Sequence, residues 1–228
     1  MSKGRLPTTV VSWSSGKDCA FALHQVRSQG LGEVIGLLTT LNEENDRVAM
    51  HGVRRELLQM QLDALGLPAE MVLLPMPCDD QTYRQRIGSC MDRLRERGVQ
   101  QVVFGDLFLE DIRRYREEQM QGSGIAPVFP LWQRDTGQLA RDMIRCGLRA
   151  VVTCVDRRVL PAEYAGRWYD NAFLEDLPPG VDPCGENGEF HTLVTAGPML
   201  TQPIAVQVGG QVCRGDFVFA DVLLPAQV

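Results

Sequence analysis

The chain lacks any apolar run long enough to cross a membrane. Its longest stretches, Val99 to Leu109 and Leu148 to Val155, are broken by polar residues. Both fall well short of the roughly 18 to 20 apolar residues that a span requires. Met1 to Arg5 runs straight into a short apolar strand, with no signal-peptide cleavage site, so a cytoplasmic protein is expected. The seven cysteines (Cys19, Cys78, Cys90, Cys146, Cys154, Cys184 and Cys213) are odd in number and never form C-x-x-C. That spacing argues against a disulfide framework, a zinc ribbon and an iron–sulfur cluster, and suits buried thiols in a reducing compartment. Basic charge is also short: 23 Lys and Arg stand against 29 Asp and Glu, a net charge of −6. An acidic surface disfavours broad binding to a nucleic-acid backbone. No Ser/His/Asp order, H-E-x-x-H, glycosidase-like carboxylate pair or glutaminase domain emerges. What is present is ordinary for a globular protein: 228 residues, 44% hydrophobic and 23% charged. Such a chain forms one large domain or two small ones and needs no metal or disulfide staple. Disorder, collagen and coiled coil are poor readings.

Short β-branched runs alternate with helical periodicity over the first two-thirds. Thr8 to Trp13 reads as a buried strand, and Cys19, Ala22, Leu23 and Val26 share one helical face that Gly30 ends. Val34 to Thr40, Met71 to Leu74 and Gln101 to Phe104 read as further strands. Between them lie helices over Arg54 to Leu65, over Tyr83 to Leu94, and over the charged stretch Leu109 to Gln121. Asp135 to Gln138 is a capping box for a helix over Leu139 to Cys146. Leu148 to Val155, Ile204 to Val208 and Phe217 to Leu224 are late strands, and Pro178 to Gly188 is turn-rich. Strand–helix alternation implies an α/β fold with parallel strands and right-handed crossovers. We expect a parallel-sheet domain over residues 1–130 and a smaller mixed α/β domain over 131–228. Ligands of such sheets bind at the carboxyl ends of the strands. That singles out the positions after Trp13, at Thr40, and at Gly105 and Asp106.

The sharpest signal is Ser14-Ser15-Gly16-Lys17-Asp18-Cys19, between the first strand and the first helix. Small residues let backbone N–H groups approach an anion, the helix N-terminus adds its dipole, and Lys17 adds a charge. Walker A is excluded by spacing, since it would need glycine at Val11. Asp18 has two readings, orienting Mg2+ on phosphates or compensating the helix dipole. Cys19 reads as a core thiol because it shares a face with Ala22 and Leu23.

The loop resembles the S-G-G-K-D-S loop of the PP-loop ATP pyrophosphatases (the adenine nucleotide alpha hydrolase superfamily), with Ser15 for the first glycine and Cys19 for the last serine. Further blocks follow in order: Met50 to Glu56, Gly105-Asp106, Asp111 to Glu118, Pro130-Leu131-Trp132, and Cys184 to Thr192. Together they are similar to the diphthine–ammonia ligase family, whose pattern includes a Y-Q-R-x-R-x-E helix, P-L-W and a late E-G-G-E-[FY]-E-T segment. Here Ile112 stands for the tyrosine, Asn187 for a glycine and His191 for the third acidic residue. The resemblance implies a Rossmann-like, HUP-type first domain that binds ATP with Mg2+. It implies adenylation of a carboxylate with release of pyrophosphate, then displacement of AMP by free ammonia. The acceptor it implies is diphthine, a modified histidine on elongation factor 2. It places Ser14, Ser15, Gly16, Lys17, Asp18, Cys19 and Thr40 on the nucleotide, with His51, Gly105, Asp106 and Arg114.

Two other readings fit the same loop: a PP-loop RNA-modifying enzyme and a nucleotide sensor without turnover. The acidic charge and the missing C-x-x-C oppose the first, and pyrophosphate release separates the second. Arg54 and Arg55 oppose a helix dipole, which is understandable if an anion lies nearby; pairing with Glu56 or Asp63 is the plain alternative. The late segment is expected to be an irregular, surface-reaching loop. There Glu186, Glu189 and His191 would serve catalysis on the acceptor side, one of them taking a proton from the attacking nitrogen. A solvated acidic loop is the bland reading of the same residues.

Overall fold

A computed structural model describes residues 5–226. Strand β1 (Thr8–Ser12) leads through the Ser14–Gly16 turn into α1 (Lys17–Gln29), followed by β2 (Glu33–Asn42) and α2 (Arg55–Leu65). Both helices end on glycines in the left-handed region, Gly30 (φ 64°) and Gly66 (φ 63°). Their N–H groups bond back to Val26 and Leu62, which is why the sequence places these ends well. Next come β3 (Ala69–Leu74), α3 (Asp80–Glu96), β4 (Gln101–Val103), α4 (Glu110–Met120) and β5 (Ala126–Val128). All five strands pair in parallel in the order β3-β2-β1-β4-β5. The order reverses between β1 and β4, and that switch point opens a crevice at the strands' carboxyl ends.

The rest of the chain forms α5 (Thr136–Arg145), β6 (Arg149–Asp156), a 3-10 turn (Ala162–Tyr164), α6 (Asn171–Asp176), β7 (Phe190–Ala196), β8 (Gln207–Arg214) and β9 (Phe217–Leu223). Its four strands are antiparallel in the order β7-β6-β9-β8. An α/β architecture with a parallel Rossmann-like sheet and a smaller second sheet is what the sequence leads one to expect.

Four local expectations change. Asp135 caps α5, accepting from the Gln138 N–H at 2.7 Å, but the Gln138 side chain bonds Asp142 and leaves the box half made. Ile204 to Val206 lies outside β8, which starts at Gln207. β5 and β7 are additional strands. β7 matters most, because it turns Phe190 to Thr192 from expected loop into buried sheet.

Alternation along β1 sorts the core into two. Val10 faces α3 and α4 with Leu38, Val72, Ile87 and Leu94. Val11 faces α1 and α2, and that cluster continues without a break into Val151, Phe173, Phe190 and Val194 of the second sheet. Gln61 crosses this junction fully buried. Its Oε1 accepts from the Trp13 indole at 3.0 Å, and its Nε2 donates to the carbonyls of Ser15 (3.1 Å) and Val194 (2.7 Å). Its polar groups are thereby paired, and the Ser14–Gly16 turn is fixed against β7.

Candidate active site

A cavity of about 490 Å³ opens at the switch point. One end is formed by Ser14, Lys17 and Asp18, by Gly105 after β4, and by Gly185 and Glu186. The other end is an apolar slot between the sheet and helices α3 and α4, lined by Leu38, Leu74, Ile87, Met91 and Phe104.

Backbone crowding builds the first end. Ser15 sits at φ 70°, left-handed backbone that costs an L-residue roughly 1–2 kcal/mol, and its buried Oγ has no partner. A Cβ on Gly16 would lie 2.6 Å from the His51 ring. One on Gly105 would lie 2.9 Å from the backbone of Asp18 and Cys19. Side chains are excluded at both places; Gly105 borders the cavity, whereas Ser15 and Gly16 are not among its lining residues.

Lys17 is 2% exposed and turns toward the late segment. Its Nζ donates to both Asp18 oxygens (2.8 and 3.1 Å) and to the Cys184 carbonyl, and lies over the rings of Phe190 and Tyr169 at 5.3 and 5.5 Å. Burial is the largest influence and works to lower its pKa, but Asp18, Cys184 and Glu186 together raise it, and the ammonium is held protonated.

Glu186 reaches back to the loop after β4. Its Oε1 accepts from the Leu107 N–H at 2.7 Å and the Phe108 N–H at 3.4 Å. Burial pushes its pKa up to about 7, with Asp18 and Asp106 adding and the Leu107 N–H opposing. On the opposite wall the rings of His51 and His191 lie 4.7 Å apart. His51 Nδ1 is 2.9 Å from the Thr192 carbonyl. Burial and mutual proximity to positive charge lower these imidazoles to about 4 and about 3, so both are neutral at pH 7.

At the slot, three buried polar atoms have no hydrogen-bond partner: Asp106 Oδ2, Arg116 Nε and Gln119 Nε2. Arg116 approaches Asp106 only to 3.7 Å, and its guanidinium lies over Phe104. Burial raises the Asp106 carboxyl, with Arg116 opposing. Unpartnered buried groups are costly, and all three residues line the cavity, which makes this end of the slot polar.

A profile described as the diphthamide synthase N-terminal domain matches residues 7–127, and one for the C-terminal domain of the same synthase matches residues 135–222. The chain belongs to the diphthamide synthase family. A diphthine–ammonia ligase of Danio rerio is 26% identical over 231 residues, covering 92% of this chain and 90% of its own. The Homo sapiens protein of that name is 25% identical over 232 residues, covering 92% and 86%. One from Schizosaccharomyces pombe is 25% identical over 221 residues, and there the match spans only 35% of the longer relative.

Within this family member, most of the residues singled out in the sequence meet at one cavity. Ser14, Lys17, Asp18, Cys19, Thr40, His51, Gly105, Asp106, Glu186 and His191 line it. The Cys19 thiol donates to the Gly16 carbonyl at 3.1 Å, and burial pushes its pKa up to about 11, so it stays a thiol. Asp18, expected on magnesium, has both oxygens on Lys17. Among the described residues no group of three His, Cys, Asp or Glu is placed to hold a metal.

Glu189, Arg114, Arg54 and Arg55 stand apart from the cavity. Glu189 lies outside the cavity and is 6% exposed; its Oε1 accepts from the Asp182 N–H (3.1 Å) and Asn187 Nδ2 (2.9 Å), stapling the turn. Arg114 is exposed and off the cavity. Arg116, which belongs to the same family-like helix block but is not one the resemblance places on the nucleotide, takes the inward place because it precedes buried Met120 by one turn. Two residues of helix separate Arg114 from it by roughly 200°. Finally, Arg54 pairs with Asp221 of β9 at 2.6 and 2.9 Å, and Arg55 with Asp46 at 3.0 Å. The anion beside that helix start is the protein's own.

Proposed function

We propose that this chain is an AMP-forming carboxylate–ammonia ligase that uses ATP. The observation that carries the reading is one cavity that joins the start of α1, at Ser14, Lys17 and Asp18 beside Gly105, to an apolar slot bordered by Asp106, Arg116 and Gln119. A polyphosphate suits the first end through the α1 dipole, although the Lys17 N–H is given to Thr192 Oγ1 at 3.1 Å. A purine and its ribose suit the second, where Gln119, Arg116 and Asp106 offer two donors and an acceptor.

In the first step an acceptor carboxylate oxygen attacks the α-phosphorus. The bond to the bridging oxygen breaks, and pyrophosphate leaves with that electron pair. In the second step ammonia attacks the acyl carbon and AMP leaves with the carbon–oxygen pair. Glu186 is the group that fits uptake of the nitrogen's proton, because its pKa stands near working pH. His191 is a poorer base at about 3. Lys17 adds positive potential at the loop while holding the Cys184 carbonyl. Magnesium would arrive with the triphosphate, held mainly by phosphate oxygens; among the described residues no group of three His, Cys, Asp or Glu is placed to hold it. On this reading residues 1–130 hold the nucleotide and residues 131–228 complete the acceptor side.

The relatives' name makes a diphthine carboxylate on elongation factor 2 one acceptor to test. Incubation with ATP, ammonium and a carboxylate that the chain accepts is expected to yield AMP and pyrophosphate in equal amounts. ADP as the sole stoichiometric product would overturn the reading.

A further inference from the structure

A second cavity of about 340 Å³ lies against the first, sharing the wall made by Ala49, Met50 and His191. The loop after β2 and the β8–β9 hairpin enclose it. Val212, Phe217 and Phe219 give it an apolar side, and Arg47, Arg214 and Asp221 give it charge. Its shape is built rather than accidental. Arg47 Nη2 (3.0 Å) and Arg54 Nε (2.9 Å) both donate to Asp221 Oδ1, and Arg54 Nη2 donates to Oδ2 at 2.6 Å. Arg47 Nη1 also donates to the Gly52 carbonyl at 2.7 Å, and a Cβ on Gly52 would meet the Phe219 ring at 3.0 Å.

Charge in this cavity is unbalanced. Its one carboxylate, Asp221, is saturated by two guanidinium groups. Arg214 has no hydrogen bond or ion pair among the described residues and lies 5.8 Å over the Phe219 ring. A surplus cation on an aromatic face suits an anion with an apolar body. The shared wall carries no negative charge that would repel a carboxylate on its way to the first cavity. Met50, in that wall, is 67% exposed and held at φ 63°, a side chain with room to swing and a backbone with strain to release.

Resting on the ligase reading above, we propose that this second cavity seats the acceptor. That acceptor is a small organic acid with an apolar body and two anionic groups. One group meets Arg214; the other, the reacting carboxylate, passes Met50 and His191 to reach the α-phosphorus. Its oxygen forms the new bond to phosphorus, pyrophosphate takes the electron pair of the broken bond, and no redox partner is needed.

ATP–pyrophosphate exchange by the full chain tests this without ammonia. The probes are phenylsuccinate, 3-phenylpropanoate and 4-(trimethylammonio)butanoate: a dianion, a monoanion and an acid carrying a cation. Exchange is expected to be at least about tenfold faster with phenylsuccinate than with either other acid. Arg214→Glu should remove that advantage through KM. Val212→Trp, at a half-exposed strand position, should fill the cavity and stop exchange. Both variants should titrate ATP as the unmodified chain does. Preference for the cationic acid, indifference to both variants, or no exchange with any probe while ATP still binds overturns the acceptor proposal and leaves the ligase reading standing. Failure of the unmodified chain to bind ATP overturns both.

Discussion

Ser15 stands where the resemblance has glycine, and its backbone keeps the glycine conformation. Holding an L-residue there costs roughly 1–2 kcal/mol, and its buried Oγ gains no partner in return. Ser15→Gly removes both costs but adds roughly 0.5–1 kcal/mol of backbone entropy to the unfolded chain. The net expectation is a gain of about 1 kcal/mol, read as a higher denaturant midpoint at unchanged slope; a lower midpoint would show that the hydroxyl has a partner. Glu186 gives a pH signature. Its folded pKa of about 7 lies above the model-compound value of 4.5, so the native state binds the extra proton between these values. Stability therefore falls as pH rises through that window. Glu186→Gln should flatten this slope, by about 1–2 kcal/mol after solvent screening, and cut acceptor-dependent turnover at least about tenfold with ATP affinity intact. An unchanged slope and rate would return Glu186 to a purely structural part. The sequence gives both glutamates of this segment the same chemistry. Which one faces the cavity is decided by a tight turn that folds Glu189 back onto the Asp182 N–H, a contact that composition and spacing do not reveal.

Elements were legible where local chemistry decides them. The unbroken apolar run of β1, the small-residue turn and the glycine stops of α1 and α2 are written in consecutive residues. β5 was hidden because it is three residues long at a sheet edge and contains Pro127. β7 was hidden for another reason. Buried against α1 and β6, it lacks the alternation of a half-solvated strand, while its threonines and His191 read as loop. Helix α4 shows how a motif can mislead without periodicity. Arg114 and Arg116 sit in one charged run, but only the face that ends in Met120 meets the sheet. Arg116→Ala and Gln119→Leu should each weaken ATP binding by about tenfold, near the 1–2 kcal/mol of one buried hydrogen bond. Arg114→Ala should leave the affinity unchanged. Calorimetric titration of the three variants decides it, and equal losses in all three would mean that charge rather than direction matters.

At the scale of the molecule, the continuity between the two sheets was the least legible feature, because it rests on contacts such as Trp13–Gln61–Val194 that join distant parts of the chain. Lys17 lies on the same seam. From the sequence it is a phosphate ligand. In the structure its ammonium is buried between Asp18, the Cys184 carbonyl and two aromatic rings, tying the loop to the segment that carries Glu186. Removing one partner of a buried pair leaves the other charge uncompensated, an effect on the order of 3–5 kcal/mol. Asp18 keeps 27% of its side chain exposed, so water reduces that figure to about 2–3 kcal/mol. Lys17→Met should therefore lower thermal stability as well as pyrophosphate release. Pairing it with Asp18→Asn removes the orphaned carboxylate and should restore most of the stability, while release stays lost because the positive potential at the loop is gone. Thermal denaturation beside a pyrophosphate assay separates the two roles. A single variant as stable as the parent would mean that Lys17 serves the nucleotide alone, and a double variant with restored turnover would mean that it serves only the seam.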